Sequence, residues 1–132
     1  MKTKATGMFE IKKWDEKPYD QSEGLPKLTR ASVTQVFSGD IEGQGAVEYL
    51  MMYRSDSSAS FVGLMRVVGR SGGRSGSFVF QCIGTFEGGT AMCSCSVVPG
   101  SGSGELRALR GEGAFNAGHG GQASYTFDFE FE

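Results

Sequence analysis

Alternation constrains this chain more than any other feature. Five stretches place side chains with a period of two, and glycine-rich turns separate them. The clearest covers residues 123–132, where Tyr125, Phe127, Phe129 and Phe131 fall on one side and Ser124, Thr126, Asp128 and Glu130 on the other. Successive side chains of a strand point to opposite faces, so this segment has one dry face and one wet face. The pattern speaks for architecture and leaves the chemistry open.

The same reading predicts strands at about residues 5–14, 28–37, 46–54, 59–68, 77–86, 90–98, 112–117 and 123–132. Residues 15–26, with Pro18, Gly24 and Pro26, read as a polar connection. Residues 105–110 carry Leu106 and Leu109 three apart and read as one or two helical turns. Short strands at regular spacing, with no long helical pattern, are the signature of an antiparallel sandwich or barrel. The expectation is all-β: one antiparallel eight-stranded barrel, forming one domain over residues 1–132. Some middle strands are apolar on both faces, with Phe78, Phe80 and Cys82 on one side and Val79 and Ile83 on the other. Such a sheet is packed inside and out, or against another subunit, which predicts a homo-oligomer, a dimer or trimer. Closure into a barrel also removes exposed strand edges.

An internal echo supports a two-part barrel. Ser38-Gly39-Asp40-Ile41 leads to Gly43-Gln44-Gly45-Ala46, and Ser103-Gly104-Glu105-Leu106 leads to Gly111-Glu112-Gly113-Ala114.

Composition narrows the function classes. Glycine supplies 21 of 132 residues, about twice the usual ~7%, in keeping with many turns and bulges. The net charge of −2 is too small and too evenly spread for a protein built around nucleic-acid phosphates. No apolar run approaches the ~20 residues that span a bilayer, and no apolar stretch follows the basic N-terminus, so the chain reads as cytoplasmic, with no membrane partner. Cys82, Cys93 and Cys95 are an odd set. Cys93 and Cys95 share a strand face with Cα atoms roughly 6.5–7 Å apart, at the far limit for a bridge, so all three read as free thiols in a reducing compartment.

Most chemical constellations fail on spacing. Cys82, Cys93, Cys95 and His119 offer soft ligands, but structural zinc normally uses paired C-x2–4-C units or histidine pairs, so the thiols read as small buried hydrophobes and no metal is expected. A cysteine–His119 nucleophile has no nucleophile elbow to support it, and His119 reads as a turn residue. Gly100-Ser101-Gly102-Ser103-Gly104 lacks the Lys-Ser/Thr and the helix of a phosphate loop, and reads as a corner between strands. The remaining polar set is Glu48, Arg66 and Gln81, in the middle of central strands among Leu50, Val62, Leu64, Val79 and Ile83. If these groups face the lumen, Glu48 and Arg66 pair there, because an isolated buried charge is costly. With Trp14, Tyr19, Tyr49 and Tyr53 as aromatic walls, they form a pocket of a few polar groups in an apolar lining.

Several short motifs in order resemble the domain-of-unknown-function family 3224. They include Phe9-Glu10-Ile11-Lys12-Lys13-Trp14, Pro18-Tyr19, Lys27-Leu28-Thr29-Arg30-Ala31, and Phe37-Ser38-Gly39-Asp40-Ile41-Glu42-Gly43. Glu48-Tyr49-Leu50-Met51, Phe61-Val62-Gly63-Leu64, Gly73-Arg74-Ser75-Gly76-Ser77-Phe78, Val97-Val98-Pro99-Gly100-Ser101-Gly102 and Leu109-Arg110-Gly111-Glu112-Gly113 continue the series. The resemblance implies a barrel similar to the allene oxide cyclase and dirigent proteins, and no established activity. Three positions depart from the family pattern: Met65 in place of an acidic residue, Cys82 in place of a histidine and Cys95 in place of a tryptophan. The leading expectation is a small apolar ligand held in the lumen without cofactor. The alternatives are a cofactor-free isomerase or cyclase, with Glu48 as acid/base and Arg66 or Gln81 steadying charge, and a structural homo-oligomer with no ligand.

Overall fold

The computed structural model describes residues 3–118 and 122–131. The strands are β1 (Thr3–Asp20), β2 (Lys27–Gly39), β3 (Ile41–Ser55), β4 (Ser58–Ser71), β5 (Arg74–Glu87), β6 (Thr90–Val97), a two-residue β7 (Ser103–Gly104), β8 (Leu109–Ala117) and β9 (Gln122–Phe131). Eight of them pair antiparallel in the order β4-β3-β2-β1-β9-β8-β6-β5, and β5 returns to β4, so the sheet closes into a barrel. β7 adds a short pairing to β5 at Gly76 and Ser77. The expected eight-stranded barrel is the observed fold.

Closure rests on the alternation. Tyr125, Phe127 and Phe129 of β9 all point inward and are buried, while Ser124, Thr126 and Asp128 point outward. Phe127 lies against Phe78, Phe80 and Phe129, with ring centroids 5.1 to 6.3 Å apart. Phe9 bridges Phe37 and Phe115 at 5.1 Å each. Removal of one such ring from a closed core costs about 3–5 kcal/mol, so these contacts hold the tube together.

Glycines at inward positions make room for the rings. A Cβ on Gly63 would stand 2.7 Å from Cδ1 of Tyr49, and one on Gly84 would stand 2.5 Å from Cζ of Phe61. In each case the glycine pairs across the ladder with the aromatic residue whose ring covers it. The lumen is therefore filled across strands rather than along them.

One end of the barrel is plugged by the two echoing segments. The Asp40 N–H donates to Thr6 O at 3.0 Å, and the Thr6 N–H donates back to Asp40 Oδ2 at 2.8 Å. The Glu105 N–H donates to Ser75 O at 2.9 Å, and the Ser75 N–H donates to Glu105 Oε1 at 3.0 Å. The residues that follow, Ile41 and Leu106, are both buried in the core. The two segments thus make the same reciprocal pair of bonds and insert the same kind of plug.

Two expectations need correction. Residues 105–110 form no helix: the Leu106 N–H donates to Ser103 O and the Leu109 N–H to Leu106 O, two successive tight turns that drop both leucines into the core. Residues 15–20 belong to β1, not to a connection, and pair with β2 from Asp15↔Ser32 to Asp20↔Leu28. Beyond Glu10, β1 pairs with β2 alone among the described residues. Pro18 fits there because an edge strand asks for no donor on its open side. Lys12, Lys13, Asp15, Glu16 and Lys17 supply the charges that blunt such an edge.

Candidate functional site

Register decides which residues share the interior. One inward row runs through Tyr49, Gly63, Cys82, Cys95, Gly113 and Phe127 on successive strands. The next contains Met51, Phe61, Gly84, Cys93, Phe115 and Tyr125. Cys82 and Cys95 are direct cross-strand partners with sulfurs 3.5 Å apart, and Cys93 lies 3.7 Å from Cys95. All three sulfurs lie within 4.8 Å of one another, and all three residues are free thiols buried in the core.

These thiols hydrogen-bond to one another. The neighbouring sulfurs hydrogen-bond to Cys93 and hold its pKa well below the usual thiol value, and the remaining ionisations of Cys82 and Cys95 are pushed up by the same contacts. Tyr49 completes the group. Its side chain is 6% exposed, and its hydroxyl makes no hydrogen bond among the described residues. Burial, and then the charge of the three nearby cysteines, pushes its pKa well up. The pairing of Cys82 or Cys93 with His119 lies outside the described residues.

The lumen itself is narrow. Two cavities among the described residues measure about 20 and 60 Å³. The larger is lined by Phe9, Ile11, Trp14, Tyr49, Phe61 and Phe86 among others, at the end opposite the plug. Drug-sized pockets run roughly 300–1,000 Å³, so the interior is a packed core with a small gap beneath its mouth. Trp14, half exposed, leans over that gap with its ring 6.3 Å from Tyr49. The Trp14 Nε1–H donates to Glu16 Oε1 at 2.9 Å. Glu16 also accepts from Thr29 Oγ1 at 2.6 Å and from Tyr53 Oη at 2.5 Å. Burial alone would raise the Glu16 pKa, but these three donors outweigh it and hold the carboxyl below its ordinary value. Tyr53 is half-buried at this rim with Lys27 over its ring. Tyr19 is exposed. The Glu16 hub has no signature in the sequence, because a Glu two residues after a Trp is common and the connection it seemed to occupy is a strand.

The polar set expected in the lumen is not there. Glu48, Arg66 and Gln81 are exposed on the outer face. Glu48 does not pair with Arg66. It accepts from Arg30 Nε at 2.9 Å and Ser32 Oγ at 2.8 Å, and the Ser32 bond leads in holding its pKa below the ordinary value. Tyr49 is thus the one member of the expected ligand set that is buried in the core, with Trp14 and Tyr53 at the rim.

The outer face is the unusual surface. Leu50, Val62 and Ile83 are cross-strand neighbours in one outward row, and Leu64 and Met92 lie in the rows on either side. Their exposures are 49, 49, 57, 56 and 59%. Two open grooves of about 690 and 540 Å³ flank the row. The first reaches Tyr19, Leu28 and Met52, and the second reaches Arg30, Glu48 and Gln81. A contiguous apolar patch on a soluble surface normally marks an interaction site. Among the described residues, no helix is long and apolar enough to cross a membrane.

Comparisons with known proteins agree with the fold and assign no activity. No functionally curated protein matches the sequence. A crystal structure of a protein of unknown function from the DUF3224 family of Shewanella oneidensis MR-1 is 34% identical, with a TM-score of 0.80, covering 100% of this chain and 99% of that one. Residues 5–129 match the family described as "Protein of unknown function (DUF3224)", and the chain belongs to that family.

Proposed function

We propose that this barrel is an interaction module whose working surface is the outer face of β3 to β6, and that the first occupant of that face is a second copy of the chain. The observation that carries the reading is the outward row Leu50, Val62 and Ile83 with Leu64 and Met92 beside it, all about half exposed. Burial of such side chains contributes roughly 1.5–3 kcal/mol each when complete. The rim carries both signs of charge, the Arg30–Glu48 pair and Arg66, so a copy related by a two-fold axis can set its Glu48 against Arg66. Sedimentation equilibrium of the wild type is expected to give the mass of two or three chains, and Val62→Lys with Ile83→Lys is expected to give one. A wild type that stays monomeric at high micromolar concentration contradicts the reading.

A second reading keeps the small apolar ligand. The gap of about 60 Å³ beneath Trp14 has mostly apolar walls, with Gln35 and Tyr49 as polar residues in its lining. At about 30 Å³ per water, it suits a guest of a few heavy atoms unless the Trp14 end opens. Guest binding would raise the melting temperature and shift the Trp14 fluorescence together. A panel of small apolar compounds that changes neither removes this reading. The cyclase-type alternative, suggested by likeness to allene oxide cyclase, has less support. Glu48 is an ion-paired surface carboxylate facing away from the lumen, beside an open groove.

A further inference from the structure

The thiols inside the barrel have a use that neither reading needs. From the convergence of the buried sulfurs of Cys82, Cys93 and Cys95 on neighbouring inward positions, we propose that the lumen holds a soft d10 cation, Cu(I) in preference to Zn(II), bound by three sulfurs.

Geometry comes first. A cation held by thiolates at about 2.3 Å in near-tetrahedral or trigonal array sets its sulfurs roughly 3.8–4.0 Å apart. Here the three sulfurs lie within 4.8 Å of one another, with two separations of 3.5 and 3.7 Å, so the donor set needs only small side-chain rotations to close on one ion. The strands supply this without loops. Cys82 and Cys95 face each other across β5 and β6, and Cys93 is two residues from Cys95 on the same inward face. Rigid strands make a more defined site than loops would.

The second observation is Tyr49. Its ring is buried in the core and stands in the row that leads through Gly63 to Cys82. It carries the one side-chain oxygen in that row, and so the fourth donor the row can offer. The choice of ion follows from donor count. Thiolates suit Cu(I) and Zn(II) alike, but structural zinc is almost always four-coordinate. Three sulfurs satisfy Cu(I), whereas Zn(II) would have to recruit the Tyr49 oxygen. Each thiol that ligates releases its proton to solvent, so uptake is proton-coupled.

The test uses the full chain, reduced and free of oxygen. Cu(I) is titrated against a colorimetric Cu(I) chelator, and Zn(II) is titrated separately. One equivalent of Cu(I), with sulfur as its only ligand type by X-ray absorption, is expected. Cys95→Ser, which removes the sulfur common to both short contacts, is expected to lower Cu(I) affinity by more than about a hundredfold. Tyr49→Phe is expected to leave Cu(I) affinity within about twofold and to weaken Zn(II) more than about tenfold. Circular dichroism checks that each variant is folded. Cys93→Ala serves if Cys95→Ser is not folded, and the wild-type stoichiometry and ligand type stand without either. Tight Zn(II) binding lost in Tyr49→Phe, with no Cu(I) uptake, keeps the site and overturns the choice of ion. Absence of stoichiometric binding of both ions overturns the site. So does a Cys82–Cys95 disulfide in protein purified without reductant from reducing cells.

Discussion

Tyr49 lies over Gly63, its partner on the neighbouring strand, so closely that a Cβ on Gly63 would come within 2.7 Å of the ring and 2.5 Å of the Glu48 carbonyl oxygen. The missing side chain is what lets the ring occupy the inward row that continues to Cys82. A vacant position in the sequence is thus a filled position in the fold.

Gly63→Ala is therefore expected to destabilise the barrel by about 1–3 kcal/mol through overpacking against ring and backbone. Chemical denaturation measures it. A Gly63→Ala variant as stable as wild type would mean that the Tyr49 ring does not fill this space.

Tyr125 ties β9 to the corner between β2 and β3. Its hydroxyl donates to Ser38 O at 2.9 Å and accepts from the Ile41 N–H at 2.9 Å. Tyr125→Phe leaves that buried N–H without its partner and is expected to cost about 1–3 kcal/mol. A loss under half a kcal/mol would mean that water replaces the hydroxyl.

Glu16 gives the fold an acid limb. Its carboxyl titrates below the ordinary value of 4.5, so the folded state favours the carboxylate. A lowered folded pKa adds stability above the unfolded value, and that stability drains away as pH falls through the folded one. The melting-temperature gap between wild type and Glu16→Gln should be widest at neutral pH and should narrow below about pH 4.5. An equal gap at pH 7 and at about pH 3 would contradict the hub.

Glu48→Gln should do little. The Arg30–Glu48 pair is exposed, and such pairs contribute about 0.2–1 kcal/mol. A loss of several kcal/mol would mean that Glu48 works in a more buried setting, such as an interface.

The strands were legible because Phe9 and Ile11, or Tyr125 through Phe131, advertise their period. The facing of the middle strands was not. In β3 to β5 the outward positions carry Leu50, Val62, Leu64 and Ile83, as apolar as anything inside, while the inward positions include Gly45, Gly63 and Gly84, which show no hydrophobicity at all. With both faces apolar, polarity cannot choose between two registers one residue apart, and Glu48, Arg66 and Gln81 follow whichever is chosen. The thiol cluster was hidden for a related reason. Spacing along β6 brings Cys93 near Cys95, but only the pairing of β5 with β6 adds Cys82. Met65 is buried in the core and accepts a hydrogen bond from buried Gln35 at 3.2 Å, a contact between β2 and β4 that no local pattern announces.

The most direct test of the proposed working surface is methionine oxidation followed by mass spectrometry at low and high protein concentration. Met92 is 59% exposed on the apolar face and Met65 is 1% exposed in the core. Association through β3 to β6 predicts that Met92 oxidises quickly in dilute solution and is protected in concentrated solution, while Met65 stays slow in both. A Met92 rate unchanged by concentration would contradict it.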